Sequence, residues 1–558
     1  MLIIGGFFQW GFELNVMSRR FLVFCTFIGL IVLLFRNYYM LISEINVFRG
    51  IIIFFITSIL LLTRASNILT MFIGWEGVGV ASVILIGWFF SREKANSAAY
   101  YALIFNRVSD FFFLYLVLWE VRNQQSFFTT LGDGNSTFKI TSLSWTLLGA
   151  ISLSIWMSTS GKSAQFAFHP WLTLAIEGPT PVSSLLHSST IVVAGVYLLL
   201  KLHPILVSNQ LVHLNAILLF SSSVSLVATS LWAINQVDLK KIIALSTTRQ
   251  LRLIIIMCCF GYSDLAFLHI LLHGFFKALL FLGRGVIIHT SPTKSQTLIG
   301  TGLIIKDSPF LHLIFFGGLL GLVGAPFWGS FVSKHLILDG VQFSDSSTFL
   351  SLSSNSTASS ISIVSHLILY LSPFLTICYS LKLIKCTVWN FRLPLVSTTY
   401  IRSEGQILTL LLPLRLLSLS TLIVGHFLGN ILRRGSISLL SEDDPLFSLF
   451  LLNLFIASIF TIYQPQRSLL FRFNKSRDIL KASRLWLLNF IKLALYATIE
   501  QIVLKKGLKS FIPIYNLRLS LVRSLHYCKD LKFFMRSSLL RLALMMILVF
   551  PYTLLIYL

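Results

Sequence analysis

The sequence is poor in acid. Its 558 residues carry 44 lysines and arginines against 20 aspartates and glutamates, and charged residues make up only 11% of the chain. A soluble domain carries about 25%, so a water-soluble globular enzyme is excluded. Cysteine is scarce too. Cys25, Cys258, Cys259, Cys378, Cys386 and Cys528 form no C-x-x-C and no Cys/His ligand spacing, which leaves metal, haem and iron–sulfur readings without support. No nucleotide fingerprint and no flavin site are present, so no redox chemistry is expected in this chain itself. The N-terminus has no cleavable signal pattern, and insertion into a membrane is expected to rest on the hydrophobic spans themselves.

What the sequence does have is long apolar runs. It is 56% hydrophobic with a mean hydropathy of +0.83, the composition of an all-α polytopic membrane protein. A crossing needs about 20 apolar residues. Fourteen segments qualify, near 20–40, 49–63, 68–90, 97–119, 147–178, 180–201, 212–234, 242–259, 265–289, 308–338, 362–390, 406–428, 446–463 and 537–557. Polar stretches separate them, such as Gln124 to Thr141 and the serine-rich Phe343 to Ser360.

Two of these segments are too long for one straight helix. The segment 147–178 holds Ser160-Gly161-Lys162-Ser163 and then His169-Pro170-Trp171, and 308–338 holds Gly324-Ala325-Pro326. Proline removes a backbone donor and glycine loosens the helix, so breaks are expected at both places. Each also carries a lysine, Lys162 and Lys334. Broken helices in corresponding halves of a membrane chain point to a transport site. Residues 466–535 are apolar but repeatedly punctuated by cations, too charged to cross and too hydrophobic for a free linker. An amphipathic helix lying along the membrane plane is expected there, pinned by the terminal span. Its basic excess suits anionic headgroups or acidic neighbours rather than nucleic acid.

Ionisable side chains inside apolar segments are costly and mark function by default. His269, His273 and Lys277 follow at steps of four, which stacks them on one helix face. An imidazole takes a proton on one nitrogen and releases it from the other, which suits a relay to an amine. Glu76 sits in Gly74-Trp75-Glu76-Gly77, where small residues admit a neighbouring helix. It needs a cation, and Lys162 is the natural candidate. Asp110 lies one turn from Arg107, so a mutual structural pair and a direct proton role are both open. His187 is open between a satisfied core histidine and a relay. Asp238, Lys240 and Lys241 flank a span end, where snorkelling to the interface accounts for them.

Several of these residues lie in longer motifs: Gly74-Trp75-Glu76-Gly77-Val78-Gly79, Asn106-Arg107-Val108-Ser109-Asp110 and Gly161-Lys162-Ser163-Ala164-Gln165. His169-Pro170-Trp171-Leu172 follows, then Glu177-Gly178-Pro179-Thr180-Pro181 through His187-Ser188-Ser189-Thr190, Asp238-Leu239-Lys240-Lys241, His269 to Lys277, and Ser333-Lys334. Over roughly residues 60–340 the chain resembles the antiporter-like membrane subunits of respiratory complex I, the NADH dehydrogenase subunit 5 family in particular. The resemblance implies two inverted five-helix repeats, each with one broken helix, and a proton channel. In that channel Glu76 pairs with Lys162 and His187 continues the line. Lys277 forms the centre, and Lys334 is the outlet; the lysine at 334 favours subunit 5 over its sister subunit 4.

Further expectations follow from the resemblance. The chain would translocate protons across the mitochondrial inner membrane while flavin, iron–sulfur clusters, NADH and ubiquinone are held by partner subunits. Its partners would be other membrane-arm subunits, especially the adjacent antiporter-like subunit 4, and anionic lipids such as cardiolipin. The expected layout is N-terminal helices over 1–66, shorter by two helices than the family has, and antiporter-like halves over 67–201 and 202–345. Peripheral helices over 346–465, the lateral helix over 466–535 and an anchor over 536–558 complete it. The chain departs from the family at His335, where an aspartate is usual, with Asp339 the nearest downstream acid. It departs again at Arg249, Arg252 and Arg284, for which the sequence offers no physical reason. Two rival readings share the motifs: the large subunit of a multisubunit sodium/proton antiporter, and a non-conducting scaffold.

Overall fold

The computed structural model describes residues 15–40, 45–123, 145–165, 168–202, 212–290, 309–325, 328, 330–334, 336–337, 371–384 and 410–423. All belong to one compact unit spanning Met1–Ser458. The expected lateral helix and anchor, the spans near 446–463 and 537–557, Pro326, His335 and Asp339 lie outside the described residues.

The helices are α1 (Val16–Tyr39), α2 (Ile45–Arg64), α3 (Ile68–Ile86), α4 (Glu93–Asn123), α5 (Trp145–Lys162), α6 (Pro170–Leu174), α7 (Thr180–Ser188) and α8 (Ile191–Lys201). They continue with α9 (Val212–Asn235), α10 (Leu239–Cys259), α11 (Ser263–Thr290) and α12 (Pro309–Val323). Two shorter apolar helices follow, α13 (Leu371–Ile384) and α14 (Leu410–Ile423). Eight segments among the described residues are long and apolar enough to cross a membrane, and each falls on an expected span. The chain is a multi-pass, helical membrane protein.

Burial sorts these helices. The 180–201 segment and α10 are buried along their whole apolar windows, and α11 nearly so, while α1 to α4 and α9 bury only part of theirs. The wholly buried helices therefore form the centre of the unit. Close approach is bought with glycine: a Cβ at Gly74 would stand 2.5 Å from the backbone nitrogen of Leu62, so α3 lies almost backbone to backbone on α2.

Both expected breaks are present. α5 stops at Lys162, and Ala164 adopts φ 52°, a left-handed conformation rare outside glycine. The chain re-enters helix at Pro170, which occupies a first-turn position where its missing N–H costs nothing. In the second half α12 stops at Val323, Gly324 turns at φ 83°, and residues 330–334 are helical again. A third interruption was not expected. The segment 180–201, read as one span, divides at Ser189 and Thr190 into α7 and α8. The local hydroxyls explain it: Ser188 Oγ donates to Ser184 O, and Thr190 Oγ1 to Leu185 O at 2.7 Å, competing with the backbone ladder. The thiol of Cys25 on α1 lies 3.6 Å from the Ser189 carbonyl, which this interruption leaves accessible.

Candidate functional site

Two groups of ionisable residues lie inside this helical unit. The first joins α3, α4 and the end of α5. Lys162, wholly buried, donates to the Trp75 carbonyl at 2.9 Å and lies 3.4 Å from Asp110 Oδ1. The Trp75 indole N–H donates to the same Asp110 oxygen at 2.9 Å, and Lys162 Nζ stands 5.0 Å from the indole centroid. Phe113 stacks on that indole at 4.9 Å and fixes its plane. Glu76 Oε1 accepts from Arg107 at 2.9 Å, and Arg107 also lies 3.8 Å from Asp110 Oδ2. Two carboxylates and two cations thus form a neutral tetrad in which each charge has a partner.

This corrects one expectation and bears on one alternative left open. Glu76 is not the acid in contact with Lys162; Asp110 is. Consecutive residues on a helix diverge by about 100°, so the face that presents Trp75 to Lys162 turns Glu76 toward Arg107. Arg107 and Asp110 do not simply neutralise each other either. At 3.8 Å their separation exceeds that of Arg107 from Glu76 and of Asp110 from Lys162.

The second group follows α7, α10 and α11 into the resumed helix after α12. His187, His269, His273 and Lys277 have no exposed surface. His187 lies near the end of α7, its ring 5.4 Å from Phe281, and the charges of Lys240 and Lys277 act on it. Lys277 donates to Ser246 Oγ, and to the Ile243 carbonyl at 3.3 Å. One turn earlier, His273 feels the charges of Lys277, His269 and Lys334 and lies against the Ser188 backbone without meeting hydrogen-bond geometry. His269 bonds Ser333 Oγ at 2.9 Å through Nδ1 and Gln250 Oε1 at 3.1 Å through Nε2. Ser333 adjoins Lys334, whose amine donates to the carbonyls of Leu322 and of Val323, the latter at 3.1 Å.

The expected stacking of His269, His273 and Lys277 on one face is therefore present, and it leads to Lys334. Neither ring nitrogen of His187 or His273 has a hydrogen-bond partner among the described residues. Buried polar atoms of this kind are ordinarily satisfied by water.

Lys240 differs from expectation. It does not snorkel: it is 4% exposed and donates to the Ile176 carbonyl at 3.3 Å, within the short 3₁₀ turn Ala175–Glu177. Lys241, partly exposed, pairs with Asp238 at 2.9 Å. The sequence signal was weak, because two adjacent lysines give no phase by which to tell the buried one.

The unexplained arginines also find partners. Arg252 donates to the Ala164 carbonyl and to Thr229 Oγ1, each at 3.3 Å. Together with the Trp171 indole, which donates to Gly161 O at 2.9 Å, it takes up carbonyls released where α5 breaks. Arg249 donates to the Ser372 carbonyl on α13. Arg284 is wholly buried, with the Asp238 carboxylate and Lys240 among the charges it feels. Lys382 likewise donates to the carbonyls of Ile234 and Gln236 at the end of α9. Helix C-termini carry partial negative charge. Much of the chain's surplus of cations inside the unit is thereby matched by backbone carbonyls rather than by acids.

A family model described as NADH:quinone oxidoreductase/Mrp antiporter, TM, matches residues 65–362. NADH-ubiquinone oxidoreductase chain 5 of Hylobates lar is 36% identical over 423 residues, which cover 75% of this chain and 65% of that one. The Canis lupus chain 5 is 39% identical over 345 residues (61% and 54%), and that of Rattus norvegicus 40% over 331 residues (59% and 52%). The present chain thus spans between about half and two thirds of the length of these relatives. Among solved structures, a chain of the Mrp complex from Dietzia sp. DQ12-45-1b shares the fold, with a TM-score of 0.70 at 21% identity, over 92% of this chain and 55% of that one.

Proposed function

The chain belongs to the NADH:quinone oxidoreductase/Mrp antiporter transmembrane family, and from that premise we propose that it is a proton-translocating membrane-arm subunit of respiratory complex I. The relatives named chain 5 favour this reading over the antiporter alternative, and the location proposed with it is the mitochondrial inner membrane. NADH oxidation, flavin, iron–sulfur clusters and ubiquinone belong in this reading to partner subunits, and an adjacent antiporter-like subunit 4 is a further partner within the membrane arm. Anionic lipids such as cardiolipin surround the arm.

One observation carries the proposal: the sequence of buried residues His187, Lys277, His273, His269 and Ser333 that ends at the partly buried Lys334, in which each member touches or feels the charge of another. Imidazoles pass protons between their two nitrogens, and a desolvated amine holds a proton only where its surroundings favour the charge. Input arrives at the tetrad. Asp110 stands 3.4 Å from Lys162 and 3.8 Å from Arg107, so a displacement of a few tenths of an ångström changes which cation it favours. Leaning toward Arg107, it withdraws the charge that holds the proton on Lys162, and that proton leaves toward the second group. Water is required where His187 and His273 lack protein partners.

The experiment is Lys277→Ala in the assembled complex, with proton uptake by vesicles and NADH oxidation followed together. Transport is expected to fall far more than assembly; unchanged protons per electron in the assembled variant would refute the central role of Lys277. The shared fold with an Mrp complex chain supports a second reading, sodium/proton exchange. Sodium-dependent proton movement in vesicles without NADH or quinone would establish that reading and displace the first.

A further inference from the structure

The two groups of ionisable residues differ in how their charge is balanced. Lys162 has Asp110 beside it and Glu76 within electrostatic reach. In the second group, the charges acting on Lys277, His269 and Lys334 are those of other cations: Lys334 and Arg249 on Lys277, the same two on His269, and Arg249 on Lys334. No carboxylate stands among these neighbours within the described residues. Carbonyl dipoles hold each cation singly but do not relieve their mutual repulsion.

Arg249 is the focus of this repulsion, and its guanidinium is incompletely used. It is 1% exposed, Nη2 donates to the Ser372 carbonyl, and Nε and Nη1 have no hydrogen-bond partner among the described residues. Both Arg249 and Lys334 line a cleft whose remaining walls are Leu253, Ile337, Ser372, Pro373 and Thr376. Lys334 commits two of its three ammonium donors to Leu322 and Val323, leaving one. The Tyr379 hydroxyl, also without a described partner, is the remaining polar group that feels Arg249.

We infer that a small inorganic anion of the halide class binds between Arg249 and Lys334 and supplies the negative charge that Asp110 supplies to Lys162. Depth selects a free ion over a lipid headgroup. Arg249 is the eleventh residue of the 21-residue α10, and at 1.5 Å per residue it lies about 15 Å from either helix end. A phosphodiester belongs at the interface, not at that depth. The apolar walls select a halide over an oxyanion. The three N–H donors on Nε and Nη1 and the free ammonium N–H all lie on the cationic side of the cleft and suit a single-atom anion, whereas the far oxygens of a phosphate would face Leu253, Ile337 and Pro373 unsatisfied.

Bromide is the probe. The assembled complex is crystallised in bromide, and anomalous scattering is collected at the bromine edge for the unaltered protein and for Arg249→Leu and Arg249→Lys. An anomalous peak between Arg249 and Lys334 is expected, lost in Arg249→Leu and retained in Arg249→Lys. Bromide nuclear-resonance line broadening by the purified complex, with Lys334→Met as a further variant, gives the same answer should Arg249→Leu fail to assemble. Absence of the peak and of the broadening overturns the inference, as does a carboxylate of the chain or of a partner subunit found in the cleft. Neither measurement involves transport, so this outcome is independent of the proposed function.

Discussion

Asp110 is the acid that Lys162 touches. The amine lies 3.4 Å from its Oδ1, while Oε1 of Glu76 is held 2.9 Å from Arg107. The more buried acid thus serves the wholly buried amine, and the two partly exposed residues, Glu76 and Arg107, serve each other.

Removing the charge of Asp110 is therefore expected to harm the chain more than removing that of Glu76. Breaking one side of a buried pair costs about 3–5 kcal/mol because the remaining charge is stranded. Asp110→Asn should lower both the thermal stability of the complex and proton transport, and Glu76→Gln should leave stability closer to the unaltered protein. Melting curves and vesicle acidification on the two variants, measured side by side, check the order; the reverse order would restore Glu76 as the partner of Lys162.

Gly79 offers a test that leaves every charge in place. A Cβ there would stand 2.9 Å from Lys162 Nζ. Gly79→Ala must push the amine away from the Trp75 carbonyl or from Asp110, at about 1–3 kcal/mol for overpacking. Transport should fall, and Gly149→Ala, where a Cβ meets nothing within 4 Å, should be silent.

The parts of this structure that sequence alone made legible are those set by hydrophobic length and by helical phase. Each described crossing, the two breaks after Lys162 and Val323, and the alignment of His269, His273 and Lys277 followed from such patterns. Pairing between helices did not follow. The partners of Glu76 and Lys162 depend on how α3 is rotated against α4, which no local pattern encodes. The same holds for Arg252 and Lys240, whose acceptors Ala164 O and Ile176 O belong to distant segments and to backbone rather than to side chains. The interruption after Ser188 was hidden because serine and threonine are common within membrane helices and redirect the backbone only in certain contexts.

Ser333 is the only side chain bonded to both His269 and the helix that carries Lys334 among the described hydrogen bonds. Ser333→Ala removes one neutral hydrogen bond, worth about 0.5–1.5 kcal/mol, and the chain should assemble normally. If protons pass from His269 toward Lys334 through this hydroxyl, transport should drop while NADH oxidation by the uncoupled complex is unchanged. Equal transport in Ser333→Ala would show that the step bypasses it.

Arg252 is a positioning group for the broken helix. Its two donors reach Ala164 O and Thr229 Oγ1, tying α10 to the end of α5 and to α9. Arg252→Met should loosen the turn that carries Lys162, lowering thermal stability by about 1–3 kcal/mol for the carbonyl and hydroxyl left unsatisfied. Arg252→Lys, which keeps a donor, should recover part of that loss. Equal melting temperatures for both variants and the unaltered protein would remove the clamp from the account.

The adjacent lysines 240 and 241 separate a buried role from a surface one with the same chemistry. Lys240 is enclosed and bonded to the Ile176 carbonyl, and its charge acts on His187, whereas Lys241 reaches the surface and pairs with Asp238. Lys240→Met leaves the Ile176 carbonyl without its donor, at about 1–3 kcal/mol; Lys241→Met removes only a partly exposed pair, worth about 0–1 kcal/mol. The melting temperature of the assembled complex should accordingly fall in Lys240→Met and stay near the unaltered value in Lys241→Met. Equal melting temperatures for the two variants would deprive Lys240 of its enclosed role.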